Sequence, residues 1–215
     1  MKKIFYRIGI ISWIFLIIIL LMFLGNFIRN VWIIEKFFSA KETYEYNNNY
    51  KIDRLLNKQG ETKQRNVIYN KDDKQRIDTY SWHGMSIHDK WRVDSSIVTT
   101  DDSEKLDYKN ELFIDESKVN KKELIKQHLF EKIVLNNNDN YVIYYYEEIE
   151  GSDNVNYQIF SINKENFVIE RYSDCEPTKI YYKDKFLVVE KSITYDVEFD
   201  TLTDEDLVEG EVYED

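Results

Sequence analysis

From Ile8 to Gly25 the chain runs through 18 residues without one ionisable side chain. A helix of that length spans about 27 Å, close to the ~30 Å hydrocarbon thickness of a bilayer. Phe27 and Ile28 close the remaining gap. The run is apolar on every face, whereas a helix of a soluble core needs only one apolar stripe. A secretory signal has a shorter apolar core and small residues at its cleavage site. The nearest small pair, Ser39-Ala40, follows Phe37 and Phe38, which are too large for such a site. The pattern predicts a retained anchor, an integral segment crossing the membrane once. Lys2, Lys3 and Arg7 crowd the near side of the run; Arg29, Lys36 and Lys41 are spread over the far side, with Glu35 and Glu42 among them. The counts tie, but basic density places the N-terminus in the cytoplasm and the rest of the chain outside it.

Beyond the apolar run the rhythm stays helical. Phe27, Val31, Ile34 and Phe38 recur at helical intervals, which predicts a juxtamembrane helix packed beneath the following domain. From Tyr44 the period falls to two. Strands are expected at "NYKIDRLL", on both sides of a turn at Asn70 to Asp73, and at "DKWRVDSSIVTT". A second group follows: "NYVIYYYEEI", "VNYQIFSI", "NFVIERYS", "KIYYKDKFLVVEKS" and "ITYDVEFD". In the last, Ile193, Tyr195, Val197 and Phe199 alternate with Thr194, Asp196, Glu198 and Asp200, giving one buried and one wet face. Between the groups, "NKKELIKQHLFEKIVL" reads as a helix capped by Asn120 with Glu123 at capping-box spacing. Leu124, Ile125, His128, Leu129 and Ile133 would form its apolar face.

The predicted class is therefore α+β: an N-terminal transmembrane helix, then a mostly antiparallel, twisted and curved sheet packed on one or two helices. Residues 1–25 form a cytoplasmic stub and anchor, 26–42 the juxtamembrane helix, 43–203 an extracytoplasmic β-rich domain and 204–215 an acidic tail. The net charge of −11 includes seven acids and no base in that tail, which is expected to be solvated. Such a balance disfavours nucleic-acid partners, which require concentrated positive surface. Cys175 is the sole cysteine, so no intramolecular disulfide forms and core burial must hold the domain, as suits a bacterial envelope. Asp174 and Glu176 beside it disfavour a reactive thiolate.

Candidate chemistry is sparse. His83 and His88 would lie on opposite faces of a strand, and His128 falls on an apolar helix face, where a satisfied core histidine is the simpler reading. Neither "DDSEKLDYKNE" nor "DEDLVEGE" has the glycine and alternating oxygen ligands of a calcium loop. Gly60, Gly84, Gly151 and Gly210 build no phosphate loop and no nucleophile elbow. No cofactor, metal or catalytic residue is assigned, and enzyme activity has no positive support.

"NVIYNKDDKQRIDTY", "YQIFSINKENFVIERYS" and "ITYDVEFDTLTDEDL" together resemble the outer-membrane lipoprotein carrier (LolA-like) superfamily, through membrane-anchored Gram-positive relatives. The resemblance covers about Phe27 to Asp206 and rests on pattern, with no diagnostic motif. It implies a curved half-barrel whose concave face, plugged by helices, receives acyl chains. The candidate lining would be drawn from Trp82, Trp91, Tyr144, Tyr157 and Phe160, whose alternative is ordinary core. The anchor departs from the soluble carriers of that family, which shuttle. The expected function is thus a tethered extracytoplasmic binding domain for a lipid, lipoprotein or envelope partner; a structural module of a secretion or cell-wall complex is the alternative.

Overall fold

The computed structural model describes residues 2–59, 61, 63–83, 90–101, 103–114, 116–129, 132–136, 139–148, 155–177 and 187–208. Helix α1 (Lys2–Tyr44) is one uninterrupted helix of 43 residues, about 65 Å long. Its two halves meet different surroundings. Thirteen large apolar side chains between Ile11 and Leu24 are 39–69% exposed, and the helix is long and apolar enough to cross a membrane. Past Gly25, by contrast, Asn30, Ile33, Ile34, Phe37 and Ala40 are buried. The buried face is rotated from the Phe27–Val31–Ile34–Phe38 face expected from sequence, sharing only Ile34 with it. Phe27, Val31 and Phe38 are only half-buried at its flank. The sheet lies on the side where Phe37 faces Phe160, with ring centroids 6.1 Å apart.

Nine antiparallel strands form one open sheet: β1 (Tyr50–Lys58), β2 (Gln64–Lys71), β3 (Lys74–His83), β4 (Lys90–Thr99), β5 (Val134–Leu135), β6 (Asn140–Glu148), β7 (Val155–Asn163), β8 (Ile169–Pro177) and β9 (Leu187–Phe199). Their spatial order is β4-β3-β2-β1-β9-β8-β7-β6-β5. Two hairpin meanders are therefore joined where the first strand pairs with the last, from Tyr50 opposite Phe199 to Lys58 opposite Lys191. The expected turn at residues 70–73 is present, with Asp72 at φ 52°, a left-handed conformation that Asp tolerates. The described end of "KIYYKDKFLVVEKS" is continuous with "ITYDVEFD" in the single strand 187–199, and 178–186 lies outside the described residues.

One face of the sheet carries the core. Tyr50, Ile52, Ile68, Ile143, Tyr145, Phe160, Ile162, Ile193 and Tyr195 point into it at period two and are almost fully buried. Ile193 and Tyr195 bear out the alternation expected for the last strand, with Val197 and Phe199 partly buried at its end. This face is covered by the second half of α1, by a 3-10 turn at Lys109–Leu112 with the residues after it, and by α2 (Lys121–Gln127).

Helix α2 has the expected cap, the Asn120 side chain accepting from Glu123 N at 3.1 Å. It is only seven residues long, however, not the 16 of the predicted segment. It stops because its C-terminal side chains bond sideways to the sheet. Gln127 exchanges two hydrogen bonds with the Tyr146 backbone, and the His128 Nε2 lies 2.8 Å from Tyr144 O. His128 is thus buried with its Nε2 against the sheet backbone, and Ile133 reaches the core from beyond the helix. Of the acidic C-terminal run, residues 204–208 are described and dock on the sheet. Leu207 is buried, and Asp206 O accepts from the Arg76 guanidinium at 3.1 Å.

Candidate functional site

Strand alternation places Arg54 on the buried face. Tyr50 and Ile52 of β1 point into the core, so Arg54 must follow them. Burying a guanidinium is costly unless it is paired and hydrogen-bonded. Glu111, on the 3-10 turn, meets it: Arg54 Nε donates to Glu111 Oε2 at 2.6 Å and Nη2 to Oε1 at 3.4 Å. Tyr195, directly opposite Arg54 on β9, donates its hydroxyl to Glu111 Oε2 at 3.0 Å. The Tyr108 ring lies 5.8 Å from the guanidinium. Burial, reinforced by the Glu111 charge, pushes the Tyr195 phenol far above its ordinary range, so it remains a donor at neutral pH. Tyr172 is pushed up likewise, by burial and by the hydrogen bond it donates to Asp174.

This cluster forms one wall of a cleft of about 330 Å³ between the sheet and the segment after the 3-10 turn. Its apolar floor is Phe113, Ile114, Phe160, Ile169 and Ile193, with Tyr172 beside them. Gln158, Lys118 and Lys191 complete the rim. With Arg54 and Glu111 the charged groups number three cations and one carboxylate, and the carboxylate is already engaged. Such a cleft can hold a short apolar chain while a negative head meets Lys118 and Lys191 at the mouth. Its volume lies at the small end of the ~300–1,000 Å³ typical of ligand sites.

The five aromatic residues singled out from the sequence do not share this surface. Only Phe160 lines the cleft. Trp82 and Trp91 pair edge to face across β3 and β4 at 5.1 Å, on the outermost strands of the other meander. Tyr144 is 45% exposed, and Tyr157 is buried against Tyr146 on the face opposite Phe160. The residues that build the cleft were missed, although Arg54 had a readable signal: a cation in register with Tyr50 and Ile52. Glu111 had none, since its turn reaches Arg54 across 57 residues of chain.

Among the described residues no group of three or more His, Cys, Asp or Glu is placed to hold a metal ion. His83 ends β3, and His88, Asp89 and Gly84 lie outside the described residues. Cys175 is buried, and burial with the adjacent Asp174 charge pushes its thiol upward, away from the reactive thiolate. Compared with known protein families and with curated proteins, the chain matches none of either.

Proposed function

We propose that the chain is a single-pass, membrane-anchored binding domain, with its N-terminus cytoplasmic and its β-sheet domain extracytoplasmic, and that it recognises a small anionic amphiphile without catalysis. The resemblance to lipoprotein carriers points the same way, toward a lipid or the acylated end of a lipoprotein. The observation that carries this reading is the cleft's division into an apolar floor and a basic mouth. Its one carboxylate is held by Arg54 and Tyr195 as a fixed acceptor, which suits recognition better than proton transfer. The test is uptake of a fluorescent fatty acid by the full chain in detergent, set against Lys118→Glu/Lys191→Glu. Both lysines lie at the rim, so reversal spares the core. The expected outcome is saturable binding, weakened at least tenfold by the double reversal. Absence of binding to the unaltered chain sinks the amphiphile reading.

A second reading, an assembly module acting through protein contacts, is favoured by how completely the inner face is filled. Phe37, Phe113, Leu124 and Ile133 occupy it beside the cleft. An empty cleft, with a membrane protein co-purifying at fixed stoichiometry, would favour that role.

A further inference from the structure

We propose that the chain around Leu129 and residues 133–135, between α2 and β6, is seated in the bilayer's interfacial layer. In that position it fixes the domain's height and tilt over the membrane; the inference rests on reading α1 as a membrane anchor.

The patch sits at a defined height along α1. Leu129 shares an apolar groove with Leu20, Phe23, Leu24 and Phe27. These four span about 10 Å of helix axis and end two residues past Gly25. If the apolar run from Ile8 lies across the hydrocarbon, the groove falls in the outer leaflet and Leu129 is level with acyl chains and headgroups. Lipid is then the occupant, because the groove continues the lipid-facing surface of the span without a break.

The backbone at this height has its own requirement. Non-helical backbone is tolerated near hydrocarbon only when its polar groups are satisfied by protein. Two polar side chains of α1, one turn past the apolar run, do this. Arg29 Nη2 donates to Ile133 O at 2.6 Å; Asn30 Nδ2 donates to His128 O at 2.9 Å and its Oδ1 accepts from Ile133 N at 3.2 Å. Asn30 is only 2% exposed. An asparagine buried inside a helix, spent on another segment's backbone, marks that segment as one water does not serve.

The surface left outside is apolar. Ile28, Trp32, Leu129, Val134 and Leu135 are 37–59% exposed in the one region where α1 leaves its apolar run. Trp32 lies about 10 Å of axis beyond Gly25, the depth of an interfacial aromatic belt. Its ring meets Phe167 edge-on at 5.9 Å, and Phe167 stacks on Tyr141 at 6.0 Å. Phe167 holds φ 58°, a conformation that costs a bulky residue about 1–2 kcal/mol. These contacts keep the β7–β8 turn pressed toward the same patch.

The test is the depth of spin labels on the full chain, reconstituted in phosphatidylcholine–phosphatidylglycerol vesicles with Cys175→Ser as background. Labels at Leu129→Cys and Val134→Cys are compared with Phe15→Cys in the apolar run. Tyr46→Cys, 87% exposed just past the end of α1, is the aqueous reference. Collision with oxygen relative to a water-soluble nickel chelate should be several-fold higher at Leu129 and Val134 than at Tyr46. Lipid-like values at Phe15 with water-like values at both test sites overturn the seat and leave the anchor standing. Water-like values at Phe15 overturn the anchor and the seat together. Strong label–label coupling at Leu129 assigns the patch to a second copy of the chain and overturns the lipid assignment.

Discussion

Replacing Phe37 by alanine asks whether the helix carrying the apolar run is also a structural part of the sheet domain. Phe37 is fully buried and meets Phe160 and Phe38 edge to face at 6.1 and 6.0 Å. Truncating a buried phenylalanine costs the transfer free energy of the ring plus the cavity left behind, about 3–5 kcal/mol. The cavity should not collapse readily, because Ile34 and Ile33 on the same helix are themselves fixed in the core. With a guanidinium m-value of roughly 4 kcal/mol/M, the unfolding midpoint should fall by about 1 M. The assay is near-UV circular dichroism of the full chain in detergent, which follows tyrosine packing in the sheet and not the helicity of the detergent-bound half of α1. Trp32→Ala is the control: its ring is half exposed, so the loss should stay near 1 kcal/mol or below. A cost under about 1 kcal/mol at Phe37 would refute the reasoning, since α1 would then lie against the sheet without completing its core.

Asn30→Leu keeps the size but removes the two hydrogen bonds to the 128–133 backbone, at a cost of about 2 kcal/mol. Hydrogen exchange should quicken at Ile133 while the amides of β1 and β9 stay protected; unchanged exchange at Ile133 would show the bonds to be dispensable. The fold should also lose stability in alkali. Burial, aided by the Asp107 charge, pushes the Tyr50 phenol up to about 12, and Tyr172 and Tyr195 move in the same direction. A phenol whose folded value exceeds its unfolded value near 10 contributes fully below that pH and loses the contribution as pH rises toward the folded value. Tyr50 alone represents about 2–3 kcal/mol, so denaturant midpoints should be flat up to pH 10 and then fall. Phenolate absorbance from these three residues should appear only with unfolding; early, reversible titration of every tyrosine would contradict their burial.

The class of fold was legible because its signals are local. An uncharged run gives a spanning-length helix, alternation in 193–199 gives a strand with one buried face, and Asn120 with Glu123 gives a cap. Where local pattern failed, a long-range bond had overruled it. The 120–135 segment keeps helical spacing of apolar residues, yet α2 ends at Gln127 because Gln127 and His128 bond to β6 and Asn30 claims the backbone beyond. Leu207 lies in an acidic run that reads as solvated, and one buried leucine with the Arg76 bond docks it.

A membrane-length apolar helix ahead of a β-rich, single-cysteine domain could be read from local pattern, because hydrophobic period and side-chain charge act within a few residues. Folding in three dimensions was needed to show that β1 pairs with β9, that Arg54 and Tyr195 both meet Glu111, and that the same helix both emerges from the apolar run and fills the sheet. Those contacts join residues 57 to 149 positions apart. Their partners are set by how whole faces pack, and no window along the chain contains both sides of such a contact.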